Sequence, residues 1–223
     1  MRKSIEKELN RDEIRKGLIR YTEKAFLTIP EMDEPRILDI GCGTGVPTME
    51  LARLSSGSIT AVDIDRHSLD ILDEKISAAG LGHRISTMEC NAKDLDFPDS
   101  SFDIIWSEGS IFTLGFETGL KAWHSMIRDA GFMAVHDELA DKNKKISLVR
   151  SCGYRLLDYF ELGQDVWWDE YYSHLEKRVR KLMVKYSNDP GAAKILRQDR
   201  EELTMFSRNP ERFCSIFFIM QKT

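Results

Sequence analysis

The residues whose types and spacing could do chemistry begin with an acid and three glycines. Asp39, Gly41, Gly43 and Gly45 alternate as Asp-x-Gly-x-Gly-x-Gly. The run Ile37-Leu38-Asp39-Ile40 suits a buried strand, and the run from Val46, with Pro47 in its first turn, suits a helix. Glycines in such a turn tolerate φ > 0 and let a ligand approach the backbone. The backbone N–H groups at the turn and helix start favour a polar or anionic ligand group. A second β-rich run, Ile59-Thr60-Ala61-Val62, ends in Asp63. In a nucleotide-binding doubly wound fold, an acid about 20 residues beyond the first glycine accepts hydrogen bonds from ribose hydroxyls. The plainer role for Asp63 is a turn acid or helix cap.

Two further places carry groups that move protons or hold charge. Ser101-Phe102-Asp103-Ile104-Ile105-Trp106 reads as a strand and runs into Ser107-Glu108-Gly109-Ser110. Ligands of open α/β sheets sit outside the carboxyl ends of the strands, which puts Ser107, Glu108 and Gly109 at the reacting edge. Glu108 is a candidate base or a carboxylate facing a cation; its plainer role is to bind a loop N–H. Ala130 to His136 reads as another strand, followed by Asp137 and Glu138. His136 is the side-chain type best suited to accept a proton near neutral pH, with Asp137 as a comparable candidate. A lone histidine is more often a satisfied polar residue.

The elements that must position these groups follow the alternation of strand and helix patterns. Residues 1–34 read as a helical cap with a stripe of Ile14, Leu18, Tyr21, Ala25 and Ile29 at helical spacing. That stripe packs on the sheet edge or turns Tyr21 toward a ligand. Residues 35–162 hold the strands and a core helix over 66–79 with Leu69, Leu72 and Ile76, then a helix over 112–128. Residues 163–210 are helical in pattern and too long for a hairpin turn. They open with Trp167, Trp168, Tyr171 and Tyr172, which form a buried stripe or face a ligand as a lid. A second helix over 192–207 is heavily charged and expected to lie in solvent. The apolar run within 211–223 reads as the last strand.

The glycine spacing is not that of the dinucleotide fingerprint, because the third glycine comes one residue early for it. Asp39-x-Gly41-x-Gly43-x-Gly45 instead resembles motif I of the class I S-adenosylmethionine (SAM)-dependent methyltransferases. The stretch Asn91-Ala92-Lys93-Asp94-Leu95-Asp96-Phe97 resembles that family's Asp-Ala-x-x-Leu-Pro-Phe segment, with Asn91 and Asp96 departing from it. The Trp-Trp-x-Glu-Tyr-Tyr insertion looks like that of the type 11 small-molecule group. The resemblance implies a Rossmann-like α/β fold, a seven-stranded doubly wound sheet of order 3-2-1-4-5-7-6 with the last strand antiparallel. It implies SAM as donor and S-adenosylhomocysteine (SAH) as product. The donor residues it implies are Asp39, Gly41, Cys42, Gly43 and Gly45 in the turn, Asp63 and Ile64 at the ribose, Asn91 and Ala92 at the adenine, and Ser107 and Glu108 near the methyl group. An Asn oxygen still accepts from the adenine amino group.

Composition narrows the function. At 223 residues the chain suits one domain with an insertion. Its net charge of −5 argues against a broad nucleic-acid footprint. The four cysteines lack C-x-x-C spacing, so no metal site is expected, and free thiols point to a reducing compartment such as the cytoplasm. The N-terminus has no apolar signal region and no run is long enough to span a membrane. The leading expectation is methyl transfer to a small-molecule acceptor. RNA or protein methylation, or SAM binding without catalysis, stand as alternatives. An arsenite-type acceptor would need clustered cysteines. The insertion serves as a lid or as the surface of a homodimer.

Overall fold

A computed structural model describes residues 2–223. Its seven strands are β1 (Arg36–Ile40), β2 (Ser58–Asp63), β3 (Ile85–Glu89), β4 (Phe102–Glu108), β5 (Ile127–Glu138), β6 (Tyr154–Leu162) and β7 (Ser215–Lys222). They form one sheet in the order β3-β2-β1-β4-β5-β7-β6, with β7 antiparallel to β5 and the pairs from β3 to β5 parallel. This is the Rossmann-like order expected from the sequence. β1 and β4 are neighbours while their chain continues in opposite directions across the sheet, so their carboxyl ends flank the switch point where doubly wound folds bind ligands.

The helices are α1 (Arg2–Leu9), α2 (Arg11–Arg15), α3 (Ile19–Leu27), α4 (Val46–Leu54), α5 (Arg66–Ala78), α6 (Phe116–Trp123), α7 (Lys142–Ser151), α8 (Gln164–Trp167), α9 (Ser173–Lys185), α10 (Pro190–Ile195) and α11 (Arg197–Arg208). The chain divides into two compact units. The sheet unit is Ile19–Glu161 with Ser215–Thr223; the helical unit is the residues up to Leu18 with Leu162–Cys214. The boundary therefore falls inside the segment expected to act as one N-terminal cap. The single amphipathic stripe breaks at the tight turn Lys16–Leu18 between α2 and α3, where the boundary between the units falls. Ile14 then joins the core of the helical unit, whereas Ala25 is buried in the sheet unit.

The sheet unit is held by a continuous apolar core that includes Leu38, Ile40, Val62, Ile105, Trp123, Met133, Val135 and Phe218. The helix expected over 112–128 is shorter in the structure. Gly115, at φ 88°, separates α6 from a single turn at Ile111–Thr113, and β5 begins at Ile127, opposite Phe102. The second helix of the insertion is two helices, α10 and α11. It is not wholly solvated: Phe206 and Asp199 are buried. Among the described residues no helix is long and apolar enough to cross a membrane.

Candidate functional site

The glycine turn is held to the strand beside it. Gly41 N–H and Cys42 N–H both donate to the Val62 carbonyl, at 2.7 and 3.0 Å. All three glycines have positive φ, at 75°, 55° and 79°, a region costly for other residues. Their roles differ. A Cβ on Gly41 would lie 2.2 Å from Ser110 Cβ, and one on Gly45 would lie 2.2 Å from Leu72 Cδ1 on α5. Those two positions are empty of side chain so that protein can pack there. A Cβ on Gly43 would meet nothing within 4 Å. Gly43 is thus the open glycine, with bare backbone facing space.

Asp63 stands at the carboxyl end of β2 against that open backbone. One carboxylate oxygen accepts from Gly43 N–H at 2.7 Å and the other from Asp65 N–H at 2.9 Å. The carboxylate is thereby fixed in direction, and each oxygen has a further lone pair for an incoming hydroxyl. Asp39 is placed differently. It is buried beneath the turn and accepts from Thr48 Oγ1 at 2.6 Å. Burial pushes its pKa up to about 7, opposed by the Thr48 hydrogen bond and reinforced by the Asp63 charge. Burial and the same two carboxylates also push up the Cys42 thiol, which behaves as a small apolar loop residue.

A cleft of about 360 Å³ opens beside this turn. It is lined by residues at and beyond the carboxyl ends of four strands: Ile40 and Gly41 at β1, Val62, Asp63 and Ile64 at β2, Cys90 to Lys93 after β3, and Gly109, Ser110 and Thr113 after β4. Five of the residues expected at the donor therefore meet in one cleft: Gly41, Asp63, Ile64, Asn91 and Ala92. The Asn91 side-chain oxygen accepts from Lys93 N–H at 3.0 Å, so it also shapes its own turn. Gly109 follows the reacting-edge residues expected from sequence, whereas Ser110 and Thr113 were not singled out there. Ser110 Oγ donates to the Ile40 carbonyl at 2.7 Å and lies 2.7 Å from Ser107 Oγ. Ser107 is fully buried and supports this clip rather than lining the cleft. The clip joins residues 70 apart in sequence, which no local pattern reveals.

The reacting edge lies where β4 and β5 end. Glu108 and His136 are register partners on these parallel strands, and Gly109 N–H donates to the His136 carbonyl at 3.0 Å. Both side chains therefore point to one face of the sheet. Glu108 Oε1 accepts from the indole Nε1–H of buried Trp106 at 2.8 Å. His136 Nε2 is 2.7 Å from Ser215 Oγ, and its ring stacks on Phe217 at 4.4 Å. Desolvation pulls the His136 pKa down to about 4, so the ring is neutral at pH 7 and a weaker proton acceptor than its residue type alone implies. Asp137 follows on the opposite face. It is buried against Lys145, with Nζ at 2.6 Å, and its other oxygen has no hydrogen-bond partner among the described residues. One reacting atom cannot be served by both His136 and Asp137, and Asp137 is already paired. Tyr21 lies on the same unit, its ring 6.4 Å from Phe160.

Within the helical unit the aromatic run is core. Tyr171 and Tyr172 are 5% and 4% exposed, too little for a surface lid residue. They pack with Ile5, Leu9, Leu175, Val179 and Phe206, with Trp167 partly buried beside them. Tyr171 OH accepts from Arg11 at 2.7 Å, and Arg11 also pairs with Asp199 and, at 3.5 Å, with Glu202. The Tyr172 hydroxyl donates to Glu202 at 3.2 Å. Trp168 is exposed on one side and stacks on Phe206 on the other. The expectation that Tyr171 faces an acceptor gives way to an anchoring role, because its hydroxyl is held by Arg11.

Comparison with known proteins bears on the cleft directly. Residues 37–131, which contain the glycine turn, Asp63, Asn91 and Glu108, match the family described as Methyltransferase domain. This stretch is similar to a methyltransferase domain. A 27-O-demethylrifamycin SV methyltransferase of Amycolatopsis mediterranei is 25% identical over 169 residues, 71% of this chain and 58% of that one. The structure of a SAM-dependent methyltransferase from Thiobacillus denitrificans, in complex with SAH, superposes with a TM-score of 0.74 at 15% identity, covering 91% of this chain and 90% of that one. The (4+2)-cyclase SpnF superposes equally well, with a TM-score of 0.75 at 18% identity over 91% of this chain and 80% of that one. The chain spans about half the length of the curated relatives it matches. The methyltransferase core can hold SAM with the groups present: bare backbone at Gly43, an oriented carboxylate at Asp63, and an open cleft beyond.

Proposed function

We propose that this chain transfers the methyl group of SAM to a small-molecule acceptor. The observation that carries the reading is the oriented Asp63 carboxylate beside the open Gly43 backbone, at the switch-point end of a methyltransferase core. In this reading Asp63 takes the ribose hydroxyls, Asn91 and Ala92 face the adenine, and Gly41 to Gly45 line the amino-acid end. The donor supplies a methyl already activated on a sulfonium. The chain's own task is to hold a nucleophile in line with it and exclude water, and such positioning supplies up to about 7–11 kcal/mol. Glu108 and His136 stand on the acceptor side of the donor as the candidates for orienting that nucleophile.

A small acceptor is supported by the acidic balance of the chain and by the rifamycin-modifying relative. The cyclase on the same fold is the reason fold alone does not carry the reading. RNA or protein methylation, SAM binding without transfer, and a homodimer through the helical unit remain outcomes of the tests. The direct test supplies methyl-labelled SAM and the protein to a size-fractionated cell extract. Label in the low-mass fraction supports the reading. Label in RNA or protein replaces it with a macromolecular one.

A further inference from the structure

Trp106 and Glu108 form an arrangement that donor binding alone does not require. Trp106 is wholly buried on β4, with Phe26 of α3 and Phe217 of β7 against its ring. A buried indole N–H needs an acceptor. Here the acceptor is the carboxylate of Glu108, two residues on and on the same face of the strand, at 2.8 Å. The bond fixes the direction of a side chain that would otherwise sample several rotamers at a strand end. The next residues, Gly109 and Ser110, follow β4 and line the same cleft as Asn91 and Ala92, which follow β3, with β2 and β1 between those strands in the sheet. With ribose at Asp63 and adenine at Asn91, as in the reading above, the donor's sulfur would lie toward the β4 side of the cleft, at Gly109, the residue after Glu108.

We infer that Glu108, held in direction by Trp106 as a positioning residue, recognises the positive charge of the donor's sulfonium and so distinguishes SAM from SAH. The inference rests on the SAM reading proposed above. When the methyl passes to the acceptor, the sulfur–carbon bond breaks and its electron pair stays on sulfur. The product is a neutral thioether, and the attraction to Glu108 ends with the charge. The carboxylate thus favours the loaded donor over the spent product, without needing to move.

Calorimetric titration of wild type, Glu108→Gln and Trp106→Phe with SAM and with SAH, separately, tests this. Glu108→Gln keeps an oxygen for the indole N–H and removes only the charge. It should weaken SAM roughly fivefold to a hundredfold, the range of one contact to a charged group, and leave SAH within about twofold. Trp106→Phe keeps the ring and removes the N–H, and should shift the SAM-to-SAH preference in the same direction by a smaller factor. Equal weakening of both ligands by Glu108→Gln would mean a merely structural role and overturn the inference. So would an unchanged preference. If Trp106→Phe fails to fold, Glu108→Gln decides. Failure of wild type to bind either ligand is a distinct result, which overturns the SAM reading and this inference with it.

Discussion

The two glycines Gly41 and Gly43 separate structural need from ligand need, and alanine at each gives a quantitative contrast. Both have positive φ, which costs a non-glycine residue about 1–2 kcal/mol. At Gly43 nothing lies within 4 Å of the new Cβ, so Gly43→Ala should lose only that strain, about 1–2 kcal/mol of unfolding free energy. At Gly41 the new Cβ would meet Ser110 Cβ at 2.2 Å and Ser110 Oγ at 2.5 Å. Ser110 must then leave its place and break its bonds to the Ile40 carbonyl and Ser107, both 2.7 Å. At about 1 kcal/mol per bond, Gly41→Ala should lose roughly 3–4 kcal/mol in total. Urea unfolding followed by circular dichroism reads both variants on one scale. Equal losses, or a larger loss at Gly43, would refute the assignment of Gly41 to packing and Gly43 to ligand. Gly43→Val should lose at least as much stability as Gly43→Ala, since a β-branched residue is strained at φ 55°, yet stay folded and fail to bind SAM.

Three further outcomes follow from named contacts. Asp63→Ala should weaken SAM by about 1.5–3 kcal/mol, the scale of a charge-assisted hydrogen bond, by calorimetry; an unchanged affinity would remove Asp63 from the ribose. Asp39 has a folded pKa raised to about 7 above an ordinary value near 3.8, so its contribution to stability is present at low pH and is lost as pH rises through that interval. Asp39→Asn should therefore flatten the fall in stability between about pH 4 and pH 7 relative to wild type, and a fall of unchanged slope would show that another group titrates there. Arg11→Met leaves the buried Asp199 without its cation, a break that costs about 3–5 kcal/mol. Hydrogen exchange should show that loss in residues up to 18 and in Leu162–Cys214, with the sheet unit protected as before; uniform loss would contradict the independence of the helical unit's core.

The donor half of the site was legible because its signal is local. Glycine spacing, an acid at the end of the next strand and alternating strand and helix patterns are all short-range features. They reached the glycine turn and Asp63, while the sheet order and the Asn91 loop were expected from the resemblance to the methyltransferase family. Residues that act through long-range contacts were not legible. Ser110 is clipped to Ile40 across the β1–β4 pair, 70 residues away in sequence. The neutrality of His136 follows from burial against β7, which residue type cannot report. The N-terminal stripe misled because the short turn Lys16–Leu18 divides what periodicity joins. Tyr171 misled because the cation that claims its hydroxyl lies 160 residues earlier.

The most direct test of the central claim is hydrogen–deuterium exchange with and without SAM. The account predicts slower exchange at residues 41–45, 63–65, 91–93 and 109–110, since these backbone stretches meet at the cleft and would be ordered by the donor. The helical unit's core segments around Leu175 and Val179 should be unchanged in the same experiment. Protection confined to other parts of the chain, or none at saturating SAM, would contradict the claim that this cleft is the donor site.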